Sequence, residues 1–432
     1  MNVLFINDST CNPNWGDRAA AITLKRMISA SGGNIIATIS EDQLRYSSFH
    51  DTIDKDNPSV YQYHNTKETL KLFIPPILVK IREKFITYRN PPTITDIIPQ
   101  RWQDFENHAN VIFSNKHLYS NLLKAIEESE VIVIHGDGCM TGIGRIPRAE
   151  LFLTYIAKKH FNKPVIIVNH TGDFDHPELH KMAQEIYPLF DDVVFRDEMS
   201  VERYQALCDG RFAPDSAFLF KPITLPDWLP VAQRPTYFDV WPDTARFDPA
   251  EPYICIGGSS IYGSIKNTTD LINGISQLID HIGSIYSGQI VLTASDVCDQ
   301  NIFREIANKF VLPLIGLTTQ VQQTVDVIGN AEAYIGGRWH PSIFALRGGT
   351  PIIPITSKTF KMQALARMSG LPDVTFDAFN LDKEKDAIGR QLKGFVNKGE
   401  ELRNKLRSWA EKESENSWDN VTYLKNMSSN QL

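Results

Sequence analysis

A permanently charged guanidinium stands two residues ahead of an imidazole in the run Ile335-Gly336-Gly337-Arg338-Trp339-His340-Pro341-Ser342. An apolar strand ends at Gly336, and Pro341 suits the first position of a following helix, so Arg338 and His340 fall at a helix N-terminus. Free backbone N–H groups and the helix dipole favour an anion there. The arginine adds a planar fork matched to phosphate or carboxylate, and the histidine adds a proton exchanger near neutral pH. The competing reading is architectural: Arg338 pairs with a carboxylate of the fold and His340 caps the helix.

Further loops supply candidates of the same kind. Asn12-Pro13-Asn14-Trp15-Gly16-Asp17 follows the first apolar strand. Gly16 allows a tight strand-to-helix turn, and Asp17 opens the helix where its charge is favoured. A structural role accounts for this loop as well as a cleft carboxylate does. Phe195-Arg196-Asp197-Glu198-Met199-Ser200 ends another strand. Arg196 is either a second anion ligand or half of a surface ion pair, and the residues alone favour the pair. His135-Gly136-Asp137-Gly138-Cys139-Met140-Thr141-Gly142 is a glycine-rich loop that lets a ligand approach the backbone. It lacks both the dinucleotide fingerprint and the phosphate-loop Lys-Ser/Thr pair, so neither NAD nor ATP follows. Lys358 is long enough to reach an anion, although a lone loop lysine is usually just solvated. His170, Asp173, Asp175, His176 and His180 form a dense group open to divalent-metal ligation. A polar loop running into a helix explains that group equally well, and the two-His-plus-Glu helical motif is absent. No metal site is expected.

These side chains need a scaffold that gathers several strand ends. Val3–Ile6, Val131–Ile134, Val165–Val168 and Val193–Phe195 are short β-branched runs, each followed by a polar or glycine-containing turn and a helical pattern. Asp17–Ser29 is one such helix, ended by Gly32-Gly33. Strands alternating with helices point to a parallel sheet covered on both faces. Residues from about 41 to 130 break the alternation and read as a mostly helical insertion. Alternation resumes with strands at Tyr253–Ile256, Ile290–Thr293, Ala333–Ile335 and Pro351–Ile355. Helical patterns lie between and after them, at Thr269–Ile282, Asn301–Phe310, Val321–Ile328 and Ser342–Leu346. The expected architecture is α/β: an N-terminal Rossmann-like domain over 1–222, a Pro-rich linker over 223–252, a second Rossmann-like domain over 253–395 and a helical tail over 396–432. Two such units enclose a cleft outside the carboxyl ends of their strands, where ligands bind in these folds.

Composition narrows the function classes. A length of 432 residues exceeds one ordinary domain, and 42% apolar content is enough for two cores. A net charge of −7 without a basic cluster argues against nucleic-acid binding, while leaving room for a few arginines to dominate a cleft. Cys11, Cys139, Cys208, Cys255 and Cys298 are scattered and odd in number, as expected of reduced thiols in the cytoplasm. Met1 to Asp8 lacks the basic start and longer apolar run of a signal peptide. No apolar stretch approaches the roughly 20 residues of a membrane helix; the run 74–79, flanked by Lys71 and Lys80, is far too short. The expected location is cytoplasmic.

Taken together, the loops resemble the polysaccharide pyruvyl transferase family. The likeness runs through Asn14-Trp15-Gly16-Asp17, the glycine loop after Ile134, Arg196-Asp197-Glu198 with Ser200, and Pro214-Asp215 with Phe218. It ends with Arg338-x-His340, followed by Phe344-Ala345-Leu346 and Pro351, and so spans roughly residues 1 to 365. The resemblance implies two Rossmann-like domains of the GT-B glycosyltransferase type, with phosphoenolpyruvate as donor. Pyruvate would be attached as a ketal across two sugar hydroxyls of a polysaccharide, glycan or lipid-linked precursor, as in exopolysaccharide biosynthesis, with release of phosphate. Arg338 and His340 match the family's Arg-x-His, and Arg196 matches a second arginine of the pattern. The departures are His135-Gly136-Asp137-Gly138, where three glycines are usual, and Trp339 and Pro341, where smaller or aliphatic residues are usual.

On this reading His340 is the acid and Asp17 the base, with the imidazolium favoured by the bound anion against the helix dipole. Arg338, Arg196 and Lys358 hold phosphate and carboxylate, and Asn14, Gly16, His135, Gly136, Asp215, Gly337 and Ser342 line the substrate. No cofactor is needed beyond the donor itself. The expected partners are that donor and a saccharide acceptor, with no integral membrane segment; peripheral membrane association and oligomerisation stay open. A nucleotide-sugar-dependent glycosyltransferase and a non-catalytic glycan-assembly protein are the alternatives.

Overall fold

A computed structural model describes residues 1–51, 97–234, 236–238, 246–265 and 267–429. The middle of the expected helical insertion, 52–96, lies outside the described residues, and with it the short apolar run 74–79.

The first unit contains β1 (Asn2–Asp8), α1 (Trp15–Ala30), β2 (Asn34–Ser40) and α2 (Glu41–Tyr46). After the insertion's described helices α3 (Phe105–Ser114) and α4 (Ser120–Glu128) come β3 (Val131–Asp137), α5 (Arg145–Phe161) and β4 (Val165–His170). The unit continues through α6 (Pro177–Ile186), β5 (Asp192–Phe195), α7 (Glu198–Tyr204) and β6 (Arg211–Phe212). Its strands form one parallel sheet in the order β2-β1-β3-β4-β5-β6. Every residue of β3 and β4 is buried, which is why the β-branched runs show no alternation: helices cover both faces.

The connection 223–252 holds a short helix, α8 (Leu225–Ala232), that its Pro-rich composition hid. Trp228 on α8 is fully buried in the second core, so part of the expected linker is a docked element of the second unit. There, β7 (Tyr253–Ser259), α9 (Thr269–Ile285), β8 (Gln289–Thr293), α10 (Val297–Phe310), β9 (Leu314–Ile315) and α11 (Val321–Asn330) follow in turn. Then come β10 (Tyr334–Gly337), α12 (Trp339–Arg347), β11 (Ile352–Pro354) and α13 (Lys361–Met368). The second sheet is also parallel, in the order β11-β10-β7-β8-β9.

The two units share α1. Its Leu24, Met27 and Ile28 pack on the first sheet, while Trp15, Ala19 and Ala20 belong to the second unit's core. The small side chains of the Ala19-Ala20-Ala21 run let the neighbouring elements come close on that side.

The C-terminal segment ties the units together a second time. Helix α14 (Leu381–Asn416) is broken at Gly399, where φ is +50°, a conformation glycine adopts without the usual Cβ penalty. Beyond the break, Arg403 Nη2 donates to Gly329 O at 3.3 Å and Arg407 Nε to Gly348 O at 2.9 Å. These guanidinium groups meet the carbonyl ends of α11 and α12, where the helix dipole favours a cation. The chain then returns to the first unit, where α15 (Thr422–Ser429) closes it. Val421 and Leu424 are fully buried against Val3, Phe5 and Val131, and Asn420 accepts from Asn169 N at 3.0 Å. The charged pattern expected of a free tail hides this because only about one residue per turn is buried. Leu424→Ala should cost about 2–5 kcal/mol and lower the urea midpoint of the first unit's unfolding; an unchanged midpoint would mean the strap is peripheral to that core.

Candidate active site

Each sheet reverses its strand order at one place: between β1 and β3 in the first, and between β7 and β10 in the second. Loops leaving such a reversal diverge and open a crevice at the carboxyl ends of the strands. Gly16 and Asp17 open α1 after β1, Asp137 ends β3, and Arg338 and His340 stand where β10 gives way to α12. Both reversal points therefore open onto one interdomain cleft, and the candidate residues converge there.

The contact between the units is close. Asn14 caps α1, its side chain accepting from Gly16 N at 2.9 Å, so the helix begins at Trp15 rather than at Asp17. A Cβ on Gly16 would lie 2.3 Å from His340 Cβ and 2.4 Å from its Nδ1. Gly16 thus serves the approach of His340 more than the turn expected of it. Helix α12 likewise begins at Trp339, with Arg338 as its N-cap, so Pro341 sits third in the helix, still within the turn that tolerates its missing N–H.

His340 lies among three carboxylates of the first unit. Its Nδ1 is 3.5 Å from Asp17 Oδ1, and its Nε2 is 3.5 Å from Asp215 Oδ2 and 3.7 Å from Asp137 Oδ1. Burial pulls the imidazolium pKa down, but Asp137 and Asp215 overcome it and lift the value to about 9. Carboxylates of the protein, rather than a bound anion, thus keep His340 charged. Burial and the Asp137 charge push Asp17 up to about 6, against the pull of His340. The His340 ring is 6% exposed and the Asp17 side chain 22%, so Asp17 is the more open of the two.

Arg196 is no surface partner. It is 1% exposed, its Nη1 is shared by Asp137 and Asp215 (3.0 Å to Asp215 Oδ2), and its Nε donates to Thr171 Oγ1 at 3.0 Å. Burial alone would raise the Asp137 pKa; Arg196 and His340 hold it down at about 2. The same two cations hold Asp215 below the usual carboxylate range against its own burial. Trp339 seals this cluster from the opposite domain: its ring lies 4.8 Å from the Arg196 guanidinium, and its Nε1 donates to Asp215 Oδ2 at 2.9 Å. That clamp explains the large residue beside His340.

Arg338 is not an open fork. Its Nε and Nη2 bind both oxygens of the fully buried Asp299, at 2.9 and 2.8 Å, and its Nη1 faces Asp296 at 3.3 Å. A buried carboxylate needs a cation, and the arginine meets that need first. The expectation that Arg338 stands free to grip an anion is corrected accordingly. Its immediate role is to fix the start of α12, and Ser342 adds to this by donating to Arg338 O at 2.8 Å rather than facing the cleft. Gly337 packs on Ser259, which a Cβ would approach to 2.6 Å. His135 is fully buried beneath the site, with Nε2 3.0 Å from Asn169 Nδ2, and Gly136 packs on His170. Both belong to β3 and are buried within the first unit. Lys358 is exposed, its backbone N–H donating to Ser260 Oγ at 3.1 Å.

The dense His170–His180 group disperses. The His170 ring is buried against Val194 O and the Tyr187 hydroxyl, His176 caps α6, and Asp173 meets Thr141. Among the described residues, the one set that could gather around a metal ion is Asp17, Asp137 and His340. Arg196 also bonds Asp137, and the surrounding carboxylates favour the protonated form of His340, so a cation would compete with both for the same atoms.

Sequence reading missed Asp137, Asp299 and Lys361 as members of the cluster. Asp137 stood in the glycine loop it quoted, and its φ of +45° shows a backbone turned to aim the carboxylate. Lys361 opens α13 and Asp299 lies in the first turn of α10, and nothing local marks them. Gly16→Ala should leave secondary structure intact but drive His340 away, lowering kcat/KM about 100-fold or more in a transfer assay; a variant near wild-type activity would show that the close approach is dispensable.

Comparison with known proteins agrees with this geometry. The sequence matches the polysaccharide pyruvyl transferase family over residues 43–359. No curated protein matches the chain. Among solved structures it is similar to Arabidopsis thaliana UGT89C1 complexed with UDP (TM-score 0.54, 12% identity, 99% of both chains covered). It is also similar to the UDP-GlcNAc 2-epimerase of Neisseria meningitidis bound to UDP-GlcNAc (TM-score 0.50, 12% identity, 94% of both chains). At such identity the likeness concerns the fold alone, two Rossmann-like domains in the GT-B arrangement. With its cleft chemistry and a match over most of its length, the chain belongs to the polysaccharide pyruvyl transferase family.

Proposed function

We propose that the chain moves a pyruvyl group from phosphoenolpyruvate to two hydroxyls of a glycan or lipid-linked saccharide, forming a pyruvate ketal and releasing phosphate. The observation that carries this reading is the pairing of a protonated His340 with Asp17, a carboxyl poised near neutral, in one interdomain cleft. Enol-ether chemistry needs a proton delivered to carbon, and imidazolium is an acid of suitable strength.

His340 protonates the donor's methylene carbon, leaving C2 electrophilic. An acceptor hydroxyl attacks C2 while its proton passes to Asp17. The C2–O bond to phosphate then breaks, and the Asp17 proton leaves with the phosphate. The second hydroxyl closes the ketal at C2, and its proton restores the imidazolium. Protons balance. The donor carries about three negative charges, which the backbone N–H groups at the start of α12 and the Arg196 and Arg338 edges help to offset. Nothing in this scheme calls on a metal or a redox cofactor.

The UDP held by the plant enzyme lends its one support to the nucleotide-sugar alternative. Thermal-shift measurements with phosphoenolpyruvate and with UDP-, GDP- and CMP-sugars separate the two, since a ligand of the native state raises Tm. Phosphate release from phosphoenolpyruvate, dependent on a galactose-, mannose- or N-acetylmannosamine-containing acceptor that gains pyruvate by mass spectrometry, is the expected result. Stabilisation by a nucleotide sugar with no phosphate release would overturn the proposal.

The pKa values give the pH profile its sign. Asp17 must be ionised to take a proton, so kcat/KM rises as pH passes about 6. His340 must be protonated to give one, so the rate falls as pH passes about 9. The two titrate as a pair, and the bell belongs to both. His340→Asn should abolish the alkaline limb and lower kcat by about 100- to 10,000-fold while donor binding persists. An alkaline limb surviving in that variant would assign the acid elsewhere.

A further inference from the structure

His340 meets Gly16 with no room to spare. The loop leading into α1 must therefore be placed closely, since a misplacement of about 1 Å at a reacting group can cost about 100-fold in rate. That loop is shaped largely from within. Asp8 Oδ1 accepts from Thr10 N at 3.1 Å and from Thr10 Oγ1 at 2.7 Å, and Asn12 N donates to Ser9 O at 3.0 Å. Asn12 Oδ1 accepts from Asn14 N at 2.9 Å, one step before Asn14 caps α1. Ser9 Oγ donates to Asp17 O at 2.9 Å, and Lys25 Nζ to Asp8 Oδ2 at 2.8 Å, so the loop is also tied to α1 itself. These bonds give it a shape; its place over the first sheet needs a tie to another element.

Among the described residues that tie is Glu41. Asp8 pairs with Ser40 in the parallel register of β1 and β2, which brings the first residue of α2 level with the loop. Glu41 is 8% exposed, and its carboxylate oxygens are divided: one accepts from Asn12 Nδ2 and the other from Arg45, one turn along α2. A carboxylate that opens a helix gains from the dipole while exposed, so the dipole does not account for burial against Asn12. Hydrogen bonds thus run in series from Glu41 through Asn12 and Asn14 to Gly16, the residue that touches His340.

We propose that Glu41 is a positioning residue of the transfer reaction, acting on Asp17 through the Asn12 loop and through its own negative charge. This rests on the role given to Asp17 above and adds to it a residue that works at one remove. Asp17 is faced by Asp137 on β3, His340 on α12 and Glu41 on α2, with Lys361 on α13 and the Cys139 thiol also in its field. Burial and Asp137 do most to raise its pKa, and Glu41 adds to them. The contact sets how near Asp17 stands to His340, and the charge helps keep Asp17 a group that both takes and returns a proton near neutral pH.

The test compares wild type, Glu41→Ala, Glu41→Gln, Asn12→Ala and the double variant Asn12→Ala/Glu41→Ala in the transfer assay across pH. Circular dichroism and Tm establish that each is folded. Wild-type turnover is the control: if it is absent, the functional reading fails before Glu41 is at issue. Given turnover, Glu41→Ala and Asn12→Ala should each lower kcat about 10-fold or more while KM for phosphoenolpyruvate stays within about twofold. Two residues acting in series make the double variant no worse than the poorer single one. Glu41→Gln keeps an oxygen for Asn12 and loses only the charge, so it should recover most of the lost kcat. Its pH profile should move: without the negative charge Asp17 ionises more readily, and the acid limb shifts from about 6 to lower pH. A purely architectural Glu41 would scale the rate and leave that limb in place. Wild-type kcat in folded Glu41→Ala or Asn12→Ala, losses that multiply in the double variant, or an unmoved acid limb in Glu41→Gln would each overturn the proposal.

Discussion

Two carboxylates and one guanidinium buried at a domain boundary govern how this molecule is put together. Asp137 and Asp215 cannot remain ionised out of water without a counter-charge, and an unpaired buried carboxylate costs several kcal/mol. Arg196 serves both, yet two negative charges against one positive leave the cluster short of a cation. His340, delivered from the other domain, makes up the difference as imidazolium. The elevated histidine pKa is thus a consequence of charge balance, and a group protonated for that reason is also a group ready to protonate something else.

The second domain repeats the arrangement with a different outcome. Arg338 is bound on both oxygens of Asp299, leaving that pair neutral, rigid and buried at the entrance to α12. An arginine in this state is an architectural part that sets where the next helix starts and hence where His340 points. Its charge still contributes to the field in the cleft, but most of its hydrogen-bonding capacity is spent. In the proposed reaction the two residues of the Arg-x-His pattern divide the labour, one orienting and the other giving up its proton.

Closure of the cleft draws on elements far apart in the chain. Helix α1 supplies both cores, Trp339 lies over Arg196, and the C-terminal strap runs from the carbonyl ends of α11 and α12 back to the first sheet. These contacts hold the two strand-order reversals face to face. One such fold serves proteins of different activity, and the chemistry is set by the side chains that stand on the facing loops.

From the residues alone the α/β class, the two-sheet organisation and most strands could be read, because β-branched runs and helical periodicity are local properties of the chain. The loops after Phe5, Phe195 and Ile335 were also visible as candidates, since strand ends followed by Gly, Asp, Arg or His carry their own signature. The short edge strands β6 and β9, and the docked helix α8 within the Pro-rich connection, left little periodic signal. What the sequence could not decide was partnership. Whether Arg338 meets a ligand or Asp299, whether Arg196 lies at the surface or in the core, and whether Gly16 serves a turn or the approach of His340 depends on which side chains from distant loops arrive within about 4 Å, the range over which a charge finds its counter-charge. Lys361 makes the same point: an ordinary lysine in the chain, it is set in the field of Arg196, Asp137 and Asp17 only by folding.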